Sequence, residues 1–146
     1  MMTVLGPDFL LWSATKLFRS KVMGTIRATP PGMLDTASLA EQARVNAMLD
    51  NIPPISARIA GLRSDMAASK TMSPLRLDLV TAPTLIVSAR DDGYGTDATG
   101  QYTAAGITGA RFMGFESGGH VWVGHNDEVM DAIAELTTPT SVGAAP

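Results

Sequence analysis

One stretch near the carboxyl end of the chain, residues 83–125, constrains the fold most, because two short apolar segments in it each run into a polar loop. The first segment is Leu85–Val87, and the second is Arg111–Phe115. Short apolar runs bounded by turn residues are typical of buried strands in parallel sheets. A helix is predicted between them, since Asp97 can cap a first turn and glycines can end it near residue 106. The predicted order is strand, helix, strand.

Acidic residues follow the first predicted strand, and a histidine follows the second. Asp91 and Asp92 lie in an Asp-Asp-Gly turn, while His120 ends a Ser-Gly-Gly-His loop. In a parallel crossover unit the loops at the carboxyl ends of neighbouring strands meet at one edge of the sheet. We therefore expect Asp92 and His120 to lie close together. Taken singly, a turn aspartate or a loop histidine bonded to backbone is an ordinary structural residue, so the prediction depends on the pair.

The stretch 81–137 resembles the C-terminal part of the α/β-hydrolase family. The motif of that family is Pro-Thr, apolar residues, a small residue, two variable residues and the acid. Here Pro83-Thr84 leads through Ser88 to Asp92, and a Gly-His pair ends at His120. The resemblance implies an α/β fold in which the acid follows one late strand and the histidine follows the next.

This resemblance also implies roles for individual residues. Asp92 would orient the imidazole of His120, and His120 would be the general base of a Ser-His-Asp triad. Asp91 would take the place of the acid if the alignment were shifted by one residue. Tyr94 and Trp122 would flank and bind the substrate. The implied ancestral activity is serine-type hydrolysis of an ester or a related carbonyl compound through an acyl-enzyme.

The nucleophile motif of the family, Gly-x-Ser-x-Gly, is absent, as is its early oxyanion strand. The nearest string, residues 114–118, has its serine one place too late. The sequence therefore predicts a partial α/β-hydrolase fold: a helical cap over 1–75, a parallel strand-helix-strand-helix unit over 76–137 and a flexible tail over 138–146. We expect a chain that is inactive alone. It would be one part of a split or truncated hydrolase, or a non-catalytic protein-interaction module.

Apolar spacing predicts four helices outside the strand-helix-strand unit. The first begins near Pro7, with an apolar face expected to pack in the cap, formed by Phe9, Trp12, Leu17 and Met23. The second is capped by Thr36 or Ser38, with Glu41 completing a capping box. The third carries an apolar face formed by Ile55, Ile59, Leu62 and Met66. The last is capped by Asn126, with a buried stripe formed by Val129, Met130, Ile133 and Leu136.

Composition excludes several classes of function. The 146 residues carry a net charge of -3 and no cysteine, which excludes thiol chemistry and gives no basic surface for nucleic acid. No dinucleotide or phosphate-binding glycine motif occurs, so no cofactor is expected, and His120 with His125 lacks a third metal ligand. No signal peptide or membrane span is expected, which favours a cytoplasmic location. An unpaired sheet edge predicts self-association or a partner chain.

Overall fold

The computed structural model describes residues 6–18, 21–22, 24, 28–30, 32–52 and 54–138. Its main elements are α1 (Pro7–Leu17), α2 (Leu39–Asp50), α3 (Ile59–Thr71), β1 (Leu85–Ala89), α4 (Thr96–Gly106), β2 (Arg111–Phe115) and α5 (Asn126–Thr137). Single 3-10 turns lie at Leu34–Thr36, Leu77–Leu79 and Gly119–Val121. The predicted tail lies outside the described residues except for Thr138.

The two strands form a parallel sheet, with Leu85 opposite Arg111 and Ala89 opposite Phe115. Helix α4 connects them, so the predicted strand-helix-strand order and the mixed α/β class are confirmed. Strand β1 is two residues longer than predicted, and those two residues are its most buried ones. A two-stranded sheet is not the sheet of about eight strands expected of a complete α/β-hydrolase, which needs roughly 200 residues or more.

The start of α4 differs from the prediction. Gly95 is the N-cap residue, with a φ of 67°, a left-handed conformation that glycine adopts without a steric penalty. Asp97 lies in the first helical turn and accepts a hydrogen bond from the Gln101 amide at 2.8 Å. The predicted capping role of Asp97 is therefore wrong, because the helix begins at Thr96 and places Asp97 inside its first turn.

Two apolar clusters hold the chain together, and both include residues next to the polar loop after β2. In the first, Val45 and Leu49 of α2 are fully buried against Val121 and Val123. The second is formed by Ala89 of β1, Phe115 of β2 and Val129 of α5, with Trp122 packed against it. The loop that carries His120 is thus packed from the side of α2 and from the sheet side.

Helix α2 begins as predicted at a serine cap. The Ser38 hydroxyl accepts a hydrogen bond from the backbone N–H of Glu41 at 3.2 Å. The other half of the predicted capping box is replaced, because the Glu41 carboxylate bonds to Arg44 and to the backbone of Gly124. Glu41, which was expected to cap the helix, thus contacts the distant loop that carries Gly124.

The apolar faces of α1 and α3 are exposed, which corrects the prediction of a packed N-terminal helix. Trp12 is 50% exposed and Leu17 is 73% exposed, while Leu62 and Met66 of α3 are exposed by more than half. Helical spacing identified these faces but could not identify a partner for them. Met23 lies outside the described residues.

The C-terminal helix α5 buries a narrower stripe than predicted. Val129 and Ala132 are buried, whereas Met130 and Ile133 are exposed. The cap is also shifted, because His125 is the N-cap residue and Asn126 is the first helical residue.

Candidate active site

Asp92 lies in the turn that follows β1, where its backbone N–H donates to the carbonyl of Ala89 at 3.1 Å. Its side chain is 3% exposed. One carboxylate oxygen accepts the backbone N–H of Tyr94 at 2.9 Å. The turn therefore holds a buried carboxylate in one orientation at the carboxyl end of the strand.

His120 lies in the 3-10 turn Gly119–Val121, just after β2. Its Nδ1 atom is 2.9 Å from Oδ2 of Asp92, within hydrogen-bond distance. The imidazole is 43% exposed, in contrast to the buried carboxylate. The structure thus brings together the two residues that the sequence singled out, with the carboxylate inside and the imidazole at the surface.

Asp91 has a different partner from its neighbour. Its two carboxylate oxygens accept the backbone N–H groups of Gly118 at 3.3 Å and Gly119 at 2.8 Å. Asp91 therefore binds the backbone of the histidine loop, while Asp92 contacts the imidazole. The two successive acids fix the same loop by different groups.

Two hydroxyl groups behind the acid were not anticipated from the sequence. The Thr96 hydroxyl donates a short hydrogen bond to Oδ2 of Asp92, and it lies 2.8 Å from the Ser88 hydroxyl. Ser88 is buried on β1, and Thr96 is the first residue of α4. A threonine four residues after the acid at a helix start is a weak signal that could have indicated this contact.

The hydrogen bonds of Asp92 favour its ionised form. Burial alone would raise the pKa of Asp92, but the hydrogen bonds from His120, from Thr96 and from the Tyr94 backbone outweigh burial and lower it. Because the folded-state pKa lies below the unfolded one, the resulting stability is present above about pH 4 and is lost as the pH falls through the folded value.

Thr96→Val is expected to raise the pKa of Asp92, since it removes one donor to the carboxylate and keeps the side-chain shape. It should lower the free energy of unfolding at pH 7 by about 1.5–3 kcal/mol, the range for a hydrogen bond to a charged group. The loss should shrink as the pH falls below 4, where the carboxylate protonates. Carboxyl NMR titration and urea unfolding at several pH values measure both effects.

Thr103→Val is the matched control for this variant. Thr103 lies on the same helix, and its hydroxyl donates to the Thr99 carbonyl at 2.8 Å rather than to a carboxylate. It should leave the Asp92 titration unchanged. An equal change in both variants would show that Thr96 acts only through helix stability.

The two residues predicted to bind substrate occupy different surroundings. The Tyr94 ring meets the His120 imidazole edge-on, with ring centres 4.8 Å apart, and Tyr94 is 57% exposed. Trp122 instead packs against the cluster of Ala89, Phe115 and Val129. Contact of either residue with a substrate stays a prediction, and the geometry places Tyr94 beside the imidazole.

The segment of residues 28–30 contacts both polar loops. The Ala28 carbonyl accepts the backbone N–H of Gly93 at 2.8 Å, and the buried Thr29 lies directly against Gly119. A cavity of about 500 Å³ opens beside the acid loop. Its lining is formed by Lys21, Gly24, Ala28, Thr29, Pro30, Asp91 and Gly93. The cavity adjoins the acid loop but is not lined by His120.

His125 has a packing role. Its ring stacks on Phe115, with centres 3.9 Å apart and an angle of 15° between the planes.

Among the described residues, no group of three or more His, Asp or Glu side chains is arranged to hold a metal ion. None of the described helices combines the length and the apolar character needed to cross a membrane.

Comparisons with protein-family models, with curated proteins and with solved structures found no match to this chain. The functional interpretation therefore depends on the geometry of the Asp92–His120 pair and on the motifs around it.

Proposed function

We propose that this chain is the acid–base part of a serine-type α/β-hydrolase that acts on an ester or a related carbonyl compound. The observation that carries the proposal is the 2.9 Å contact between Oδ2 of Asp92 and Nδ1 of His120. The order of strand, acid, helix, strand and histidine along the chain is the order of the family resemblance.

In this proposal each residue of the pair has one role. The Asp92 carboxylate holds the Nδ1–H tautomer of His120 and stabilises the imidazolium that forms during the reaction. Nε2 of His120 then takes the proton of a nucleophilic hydroxyl. Within the described residues, Nδ1 makes the only hydrogen bond of the imidazole, and the side chain is 43% exposed, so a hydroxyl can approach it.

In this proposal the nucleophile is not one of the described hydroxyl groups. The Thr96 hydroxyl donates to Asp92, and Ser88 lies behind Thr96, so both hydroxyl groups are on the acid side of the pair. No hydroxyl of the described residues forms a hydrogen bond with His120. We therefore propose that a second polypeptide, or a segment absent from this sequence, supplies the serine in a Gly-x-Ser-x-Gly turn. This assembly is called the completed enzyme below.

The sheet supports the need for a partner. Strand β1 pairs with β2 along one edge, and no other described strand lies along its opposite edge. Unpaired strand edges bind other chains readily, and two strands are few for an independent sheet. The same edge, together with the exposed apolar faces of α1 and α3, favours a second candidate function, that of a non-catalytic protein-interaction module.

A fluorophosphonate probe, which reacts with activated serines, tests the proposal. The chain alone should not be labelled. After coexpression with a Gly-x-Ser-x-Gly polypeptide encoded in or beside the same gene, that serine should be labelled and short-chain esters hydrolysed. Stoichiometric labelling of the chain alone would contradict the missing nucleophile. Binding of the partner without labelling or hydrolysis would favour the interaction module.

A further inference from the structure

An ion pair on α2, with a buried carboxylate and a partly exposed guanidinium, faces the histidine loop. Glu41 of α2 is 8% exposed, and its carboxylate receives two hydrogen bonds from the Arg44 guanidinium, at 2.8 and 2.6 Å. A buried charge is unfavourable unless it is paired and hydrogen-bonded. A carboxylate on the solvated face of α2 would avoid that cost. Helix stability alone therefore does not account for the burial of Glu41.

Both members of this pair bind the backbone of the histidine loop. The backbone N–H of Gly124 donates to Oε1 of Glu41 at 3.0 Å, and Nη2 of Arg44 donates to the Val121 carbonyl at 2.8 Å. Val121 directly follows His120 in the chain. These two hydrogen bonds join residues that are 77 and 83 positions apart in the chain. Because hydrogen bonds are directional, they restrict the position of the loop more than apolar contact does.

The loop is therefore held at two points. On the sheet side, Asp91 binds the backbone of Gly118 and Gly119. On the cap side, Glu41 and Arg44 bind the residues that follow the histidine. The second attachment is called the Glu41–Arg44 clasp. His120 lies between the two attachments, so displacement of either one changes where its imidazole sits relative to Asp92.

We propose that Glu41 and Arg44 are positioning residues for His120, through which helix α2 of the cap holds the imidazole against Asp92. A shift of α2, caused by a substrate or a partner chain that binds the cap, would then weaken the Asp92–His120 contact. This regulatory role rests on the proposed function, because it matters for catalysis only if His120 is the base.

The test uses the full chain with ¹⁵N-labelled histidine. The readouts are the exchange rate of the His120 Nδ1–H proton with water and the tautomer given by the ring ¹⁵N shifts. In Glu41→Gln and Arg44→Met the exchange should be about tenfold faster or more, because a hydrogen bond to a charged group is lost from the loop. Arg44→Lys keeps the charge but not both sets of bonds, so its effect should be intermediate.

Two controls separate positioning from stability. Ala47→Gly weakens the same helix by about 1 kcal/mol at an exposed position and keeps the clasp and the apolar cluster in place, so it should leave the His120 exchange within about twofold of the parent chain. The exchanged pair Glu41→Arg with Arg44→Glu keeps an ion pair on α2. It turns a guanidinium toward the Gly124 N–H and a carboxylate toward the Val121 carbonyl, so it should not restore slow exchange.

Three results would overturn the clasp: no change in Glu41→Gln and Arg44→Met when both stay helical by circular dichroism, an equal change in Ala47→Gly, or restoration by the exchanged pair. Failure of the proposed function would look different. In that case the clasp variants would alter His120 exchange as expected, while the activity of the completed enzyme would not depend on His120.

Discussion

Asp92→Asn is expected to lower kcat of the completed enzyme by about 10⁴-fold, the largest effect that this structure predicts for a single substitution. An amide can donate to Nδ1, which favours the tautomer with the proton on Nε2 and removes the base. The carboxamide has nearly the shape of the carboxylate, so the turn after β1 should persist. The measurement is kcat on a short-chain ester, with the His120 tautomer followed by ¹⁵N NMR.

Asp97→Asn is the matched control for this substitution. Asp97 lies five residues later, in the first turn of α4, and its carboxylate bonds to Gln101 rather than to His120. Its kcat should stay close to that of the parent. Activity in Asp92→Asn within tenfold of the parent would show that Asp92 is not the orienting acid. Full activity in His120→Ala would show that His120 is not the general base.

Gly119→Ala is expected to destabilise the fold by about 2–5 kcal/mol, a large share of the stability of an ordinary domain. Gly119 has a φ of 60°, which costs a residue with a Cβ atom roughly 1–2 kcal/mol. A Cβ atom there would lie 2.7 Å from the Cα atom and 2.6 Å from the hydroxyl of Thr29, and such overpacking costs about 1–3 kcal/mol more. Urea unfolding measures the loss.

Gly109→Ala isolates the part of this loss that comes from contact with Thr29. Gly109 has a comparable φ of 80°, but a Cβ atom there would meet nothing within 4 Å. The loss of stability in Gly109→Ala should therefore be limited to the cost of a left-handed backbone, roughly 1–2 kcal/mol. Equal losses in the two variants would contradict the close packing of Thr29 on the histidine loop. A larger loss in Gly119→Ala should be accompanied by a changed His120 tautomer.

The strand-helix-strand unit was predictable because its signals are local. Short apolar runs and the turns that bound them located β1 and β2, and the parallel order of the strands put Asp92 and His120 at one edge. The N-cap of α4 lies two residues before the predicted Asp97, because Gly95 adopts a left-handed conformation that spacing does not reveal.

The contacts between distant segments were not predictable in this way. Glu41 matched a capping box, yet its carboxylate binds Arg44 and the Gly124 backbone. Thr96 and Ser88 read as ordinary helix and strand residues, although they form the hydroxyl pair behind Asp92. The apolar faces of α1 and α3 were predicted from spacing, but spacing carries no information about what covers a face.

The sequence by itself determined the order of the elements and the two loops that hold the acid and the imidazole, because strand length, turn residues and parallel connection are encoded within a few residues. Only the tertiary structure decided which of two adjacent acids contacts the histidine. It also decided that Glu41 and Arg44 of α2 form hydrogen bonds with the histidine loop. These contacts join segments 27 to 83 residues apart, and their geometry depends on how the elements pack rather than on any local pattern.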